Sequence, residues 1–218
     1  MKALFVPLFS VALLVGGTSL APAPALAQNP VSPEGVVAAT RTDELRAAMR
    51  KLWEDHITYT RNYIISALAG LPDSNAVATR LLANQDEIGD AIKPFYGEAA
   101  GETLATLLRE HILIAAEVIA AAQSGDDAQY AAAQAEWSAN GEAIAAFLSA
   151  ANPNWSQTEL EAMLQTHLDL TTAEVVARLN ADWEADIRAY DAGHIHMLMF
   201  ADVLTQGIAR QFPAKVGR

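Results

Sequence analysis

The chain places apolar residues at steps of three and four from about residue 42 to residue 211. This spacing puts the apolar side chains on one face of a helix. No stretch alternates apolar and polar residues for long enough to indicate a strand, and the abundant Ala, Leu, Glu and Gln favour helix. The sequence therefore predicts an all-α protein.

Glycine, proline and capping residues divide the pattern into six predicted helices, which span about 42–69, 74–93, 98–123, 126–152, 156–170 and 171–211. Pro94 is expected to end the second helix. Two capping boxes, Ser156 with Glu159 and Thr171 with Glu174, are expected to open the last two helices, which makes the fifth helix short. All connections are short, so the sequence predicts a six-helix bundle with antiparallel neighbours.

Each predicted helix carries one polar residue in the middle of its apolar stripe. In chain order these residues are His56, Asn84, His111, Asn140, His167 and Asp186. Burying such a group without a partner costs a few kcal/mol. We therefore expect the six to pair with one another, with water or with a ligand.

The spacing of these residues suggests internal duplication of a helix pair. Asn84 and Asn140 are 56 residues apart, and so are His111 and His167. The pattern predicts that the segment holding one Asn and one His occurs twice.

A second match has an offset of 130 residues. Trp53 and its following Glu correspond to Trp183 and its following Glu, and His56 then falls on Asp186. Together the two offsets predict a pseudo-twofold bundle in which each half contributes three polar residues to one axis.

Neutral imidazoles and a carboxylate together suit a transition metal such as Zn, Fe, Mn or Cu. The predicted metal ligands are His56, His111, His167 and Asp186. Two further pairs are expected beside the ion, orienting its ligands or donating hydroxyl hydrogen bonds: Asn84, Asn140, Tyr63 and Tyr190.

Two other interpretations stay open from the residues alone. The polar residues also suit a structural network that fixes helix register without any ligand. They also suit an organic ligand such as haem or a small amphiphile. No HExxH, GxSxG or SxxK motif is present, so the sequence leaves enzymatic activity open.

His194 and His196 form a separate pair. They are two residues apart on a helix, so they point to nearly opposite sides and are not expected to share an ion. His194 lies nearer the apolar stripe and is a candidate to join the site from one or two turns away, and His196 is expected at an interface or on the surface.

The first 27 residues have the features of a secretory signal. Lys2 precedes an apolar run over 3–15, and Ala25 and Ala27 give the small-x-small pattern that signal peptidase cleaves. The sequence predicts a signal peptide over 1–27, a loose lead-in over 28–40 and one helical domain over 41–212. The mature protein is expected in the periplasm or outside the cell, with no membrane span left.

Composition narrows the chemistry further. The chain has no Cys, which excludes thiolate metal sites, Cys nucleophiles and disulfides. Lys2 is the only charged residue of the signal, so the remainder has one basic residue fewer than the chain's 14, against 26 acidic residues, for a net charge of −13. Such a surface repels nucleic acid, and the expected partner is a metal ion or small ligand.

The run 52–56 (Leu-Trp-Glu-Asp-His), Thr60 with Arg61, and the ending 211–213 (Gln-Phe-Pro) resemble a poorly characterised family of exported bacterial helical-bundle proteins. The resemblance covers most of the chain that follows the signal. It implies export and a helical fold, and it implies no activity.

Overall fold

The computed structural model describes residues 40–216, which are helical apart from short connections. The helices are α1 (Arg41–Leu68), α2 (Ser74–Tyr96), α3 (Glu98–Ser124), α4 (Asp127–Ala151), α5 (Gln157–Leu179), α6 (Trp183–Gln211) and α7 (Pro213–Val216). No strand occurs in this range, which confirms the all-α prediction. The predicted signal and all but the last residue of the predicted lead-in lie outside the described residues.

Side-chain caps begin several helices. Thr40 and Asp43 form a reciprocal capping box at the start of α1. Asp126 accepts hydrogen bonds from two backbone N–H groups at the start of α4. Ser156 accepts the N–H of Glu159 and opens α5 where the sequence predicted it. Each cap satisfies backbone donors that have no partner inside the helix.

The predicted boundary between the fifth and sixth helices was wrong. Thr171 and Glu174 lie inside α5, and the Thr171 hydroxyl donates to the carbonyl of His167 instead of capping. The chain breaks later, where Ala181 has a φ of +56° and Asp182 caps α6. A Thr–Glu pair three residues apart occurs in helix interiors as well as at their starts, so the pattern alone did not decide.

Pro94 does not end α2, which continues to Tyr96. Proline lacks the N–H that would donate to the carbonyl four residues earlier, and its ring presses on that preceding turn, but the residues after it can keep helical dihedrals. Here it lies in the last turn, and Gly97 with a φ of +88° ends the helix just beyond it. The helix therefore runs three residues past the predicted end.

The six long helices pack in a closed ring. Each contacts the next in the chain, and α6 returns to contact α1. Successive helices are antiparallel, because contacts pair early residues of one helix with late residues of the next. The Trp53–Phe200 ring contact and the Arg61–Asp186 ion pair show this for α1 and α6. The inner helices α1, α3 and α5 are consequently parallel, and they also contact one another.

Small residues let some helices approach closely. A Cβ on Gly89 of α2 would lie 2.5 Å from the carbonyl oxygen of Gly101 and 2.7 Å from the Cβ of Ala105, both on α3. The indole of Trp155 lies against Gly207 and donates to the carbonyl of Val203. These contacts fix the spacing of the ring around its core.

The chain closes on itself at its end, since Val216 of α7 is buried and its carbonyl accepts from the Thr42 hydroxyl. The helical domain thus extends four residues past the predicted limit of 212. Among the described residues, none of the helices has the length and apolarity needed to cross a membrane.

Candidate functional site: three histidines on the inner helices

Three histidines meet where the inner helices contact one another. His56 lies on α1, His111 on α3 and His167 on α5, and each is 2–3% exposed. The ring centres of His56 and His167 are 5.5 Å apart, and those of His111 and His167 are 5.8 Å apart. Parallel inner helices bring these residues to one level because each is near the middle of its helix.

Hydrogen bonds fix the proton of His111. The Asn140 amide nitrogen donates to the carbonyl of Leu107, so its oxygen faces Nδ1 of His111 at 2.8 Å. An amide oxygen only accepts, and Nδ1 of His111 therefore carries the proton. The Nε2 atom of this neutral ring is left with a free lone pair.

His56 has the same arrangement, shared between two residues of α2. Asn84 donates to the carbonyl of Leu52 and accepts from the Gln85 amide, and that amide also donates to the carbonyl of Leu81. The Gln85 oxygen is thereby turned to Nδ1 of His56, at 3.3 Å. Nδ1 of His56 is again the donor, and Nε2 keeps its lone pair.

His167 differs from the other two. Its Nδ1 atom is buried and has no hydrogen-bond partner within residues 40–216. His196 on α6 lies nearby, with Nε2 donating to the carbonyl of Met163 at 2.7 Å. A buried ring nitrogen without a partner is costly, and it marks this histidine as the unsettled member of the three.

All three rings are neutral near pH 7. Burial lowers the pKa of His56 to about 3, and the nearby His111 contributes. Burial lowers the pKa of His111 to about 4. The pKa of His167 is also lowered, first by burial and then by its histidine neighbours. Neutral imidazole is the form that binds metal ions.

Asp186 was predicted to lie with the three histidines, but it pairs with arginines instead. Both of its carboxylate oxygens accept from Arg61, at 2.9 and 3.1 Å, and one also accepts from Arg178 at 2.8 Å. Arg61 also donates to the buried Glu174 at 2.7 Å. A buried carboxylate is stabilised far better by guanidinium groups than by neutral imidazoles. We call these four residues the ion cluster.

The ion cluster lies at a different level along the helix axes from the three histidines. Arg61 follows His56 by five residues, a rise of about 7.5 Å. The predicted equivalence of His56 and Asp186 therefore has no counterpart in the contacts. His56 corresponds in position to His111 and His167, and the contacts do not confirm the predicted pseudo-twofold duplication.

The two predicted tyrosines are also divided. Tyr63 lines a small apolar cavity of about 20 Å³, which has room for roughly one water, and burial raises the pKa of the Tyr63 phenol. Thr60 and Thr171, each one turn beyond a histidine, line the same cavity. Tyr190 instead lies under the guanidinium of Arg61, 4.6 Å from the ring centre, and belongs with the ion cluster.

The distances between the histidine rings suit metal binding, but the orientation of the His167 ring does not. Three imidazoles on one ion, with metal–nitrogen bonds of about 2.0–2.1 Å, place their ring centres roughly 5.2–5.6 Å apart. The observed separations of 5.5 and 5.8 Å are close to that. However, the rings of His111 and His167 are stacked at 26°, and among residues 40–216 no three His, Asp or Glu side chains are oriented to hold one ion. His167 must turn for its nitrogen to join the others.

Sequence reasoning missed Gln85, Glu174 and His196 as parts of these clusters. One signal was available: Gln85, Asn140 and His196 each follow a core histidine by 29 residues. His194, by contrast, lies at the surface with Nε2 3.4 Å from a carboxylate oxygen of Glu54.

We found no match to this chain among protein-family models, curated proteins or solved structures. The resemblance to an exported helical family remains a prediction from the residues quoted above.

Proposed function

We propose that this protein binds one transition metal ion between His56, His111 and His167. One observation supports this most directly. Hydrogen bonds to amide oxygens hold the protons of His56 and His111 on Nδ1, so Nε2 of each neutral ring keeps its lone pair. Histidines whose Nδ1 protons are held in this way present Nε2 as a ligand atom, as metal-bound histidines do.

The surroundings match those of known metal sites. A metal-bound histidine usually donates its other ring nitrogen to an oxygen, which fixes the tautomer and raises the basicity of the ligand. Asn140 and Gln85 supply such oxygens here. His167 can turn without breaking a hydrogen bond at Nδ1, because that atom has no partner within residues 40–216. Three histidines leave a further position open for water or a small ligand.

The donor set favours zinc or copper over magnesium or calcium, because it consists of imidazole nitrogens. Asp186 is excluded from the proposed ligands, since arginines occupy both of its oxygens. The small apolar cavity one turn from His56 and His167 has room for about one water and none for haem. We further propose that the protein is exported and binds its metal outside the cytoplasm.

Elemental analysis of untagged protein, purified without added metal or chelator, tests this proposal. We expect about one ion per chain, lost in His111→Ala and in His167→Ala. The matched control is His194→Ala, which removes a surface histidine and should retain the ion. Chelator should lower the melting temperature of the parent and the control, and leave the two metal-free variants unchanged.

Additivity separates a metal site from a structural network. Ligands of one ion act as a unit, so His167→Ala should add little to the loss caused by His111→Ala. If the parent carries no metal, ignores chelator and shows additive losses, the metal proposal is overturned. The histidines would then serve as a network that fixes the register of the inner helices.

A further inference from the structure

The bundle repeats one hydrogen bond in each of its three helix pairs. In each pair, a polar residue on the outer helix donates to the carbonyl four residues before the core histidine. Asn84 donates to Leu52, Asn140 to Leu107 and His196 to Met163. The donor–acceptor distances are 3.1, 3.1 and 2.7 Å, so the same contact is made three times around the ring.

In two of the helix pairs, the outer helix performs a second task. The Asn140 oxygen accepts a hydrogen bond from Nδ1–H of His111. The Gln85 oxygen, held in place by Asn84, accepts one from Nδ1–H of His56. The acceptor follows its histidine by 29 residues in both cases. The residue 29 positions after His167 is His196.

We propose that His196 is the positioning residue of His167, doing in the third helix pair what Asn140 does in the second. Its Nε2 carries a proton, because it donates to the carbonyl of Met163. In the neutral ring, Nδ1 is then an acceptor, as the Asn140 oxygen is. His167 Nδ1 is the one core-histidine Nδ1 without a partner within residues 40–216, and it needs an acceptor of this kind.

The pairing also gives His167 the tautomer that metal binding requires. When His167 donates Nδ1–H to His196, its tautomer matches those of His56 and His111, and all three Nε2 atoms carry free lone pairs. His196 is therefore part of the site and not merely a surface or interface residue.

This inference rests on the proposed metal site for its function, but its geometry is tested without metal. Nitrogen-15 NMR on chelator-treated full-length protein reports which ring nitrogen of each histidine carries the proton. We expect the Nδ1–H form for His167 in the parent, and its conversion to the Nε2–H form in His196→Ala. A parent in which His167 carries its proton on Nε2 overturns the proposal.

A conservative variant separates positioning from packing. His196→Asn creates the amide found at position 140, so it should keep both the Nδ1–H form of His167 and the Zn²⁺ affinity, the latter within about threefold. His196→Ala should weaken Zn²⁺ binding by roughly 10–100-fold, the usual cost of losing such a partner. His194→Ala, two residues away and bonded to Glu54, is the control and should change neither.

The outcomes distinguish the two proposals. If His196→Asn loses the Nδ1–H form, or if His196→Ala keeps both tautomer and affinity, the positioning role is overturned. If the tautomers follow the expectation but Zn²⁺ does not bind, the positioning role stands and the metal proposal fails. If His196→Ala does not fold, His196→Asn alone decides, by the tautomer of His167.

Discussion

Acid should destabilise this protein through its buried histidines. The pKa of a histidine in the unfolded chain is about 6.5, whereas burial holds the folded pKa of His56 at about 3 and that of His111 at about 4. Below pH 6.5 the unfolded chain binds protons that the folded protein does not, so the free energy of unfolding falls as pH falls. The stabilisation is complete above about pH 7, and it is lost between pH 6.5 and the folded pKa values.

The magnitude follows from the width of that window. At pH 5 the unfolded histidines are about 1.5 pH units below their pKa, and each unit is worth about 1.4 kcal/mol. Between pH 8 and pH 5, each ring thus lowers the free energy of unfolding by about 2 kcal/mol, and the pair lowers it by about 4 kcal/mol. The result depends little on the folded values, because both lie well below pH 5.

Urea unfolding at pH 8, 6.5 and 5, in the presence of chelator, measures this effect. The comparison is between the parent and the double variant His56→Asn, His111→Asn, which keeps a donor near each Nδ1 and removes both titrations. Glu174 titrates in the opposite sense, because burial raises its pKa to about 7, and the comparison cancels its contribution. Equal pH dependence in the two proteins would refute the reasoning, since it would mean that the histidines are accessible to protons in the folded state.

Three further predictions concern the ion cluster, the packing and the amino terminus. Arg61→Met should cost roughly 3–5 kcal/mol in urea unfolding at pH 8, where Glu174 is mostly ionised, because both Glu174 and Asp186 lose this guanidinium. Arg188→Met, whose side chain is 69% exposed, is the control and should cost less than about 1 kcal/mol. Gly89→Ala should lower the melting temperature, because its Cβ would meet a backbone oxygen at 2.5 Å. Gly141→Ala, whose Cβ would have its nearest neighbour at 3.8 Å, should leave stability unchanged or raise it by about 1 kcal/mol. If Gly141→Ala is the more destabilising of the two, the packing of α2 on α3 is contradicted. Amino-terminal sequencing of the exported protein should begin at Gln28, and a start beyond about Ser32 or a retained signal would contradict the predicted cleavage.

The sequence by itself determined the fold class and most of the helix limits. Apolar periodicity is a local signal, and so are caps such as Ser156 and Asp126, because they depend on neighbours within one turn. The same periodicity singled out His56, His111 and His167 as polar residues on buried faces. Such features can be predicted from sequence because the interactions that form them join residues within about one helical turn.

Where local signals are ambiguous, the sequence misplaced the elements. Thr171 and Glu174 have the pattern of a helix start, yet Glu174 faces Arg61 from the interior of α5. Pro94 has the pattern of a helix end, yet α2 continues past it to Tyr96. Local pattern gives a choice of conformations in these places, and contacts with other helices make the choice.

Only the tertiary structure decided which buried polar residues meet. The ring of six helices brings three histidines together from parallel inner helices. Asp186 is equally buried, but it is held by arginines from α1 and α5. A stripe gives the face of a helix on which a residue lies, but not its level relative to other helices. That level depends on how the helices are connected and packed, and so do the partners and the pKa of every group in the centre.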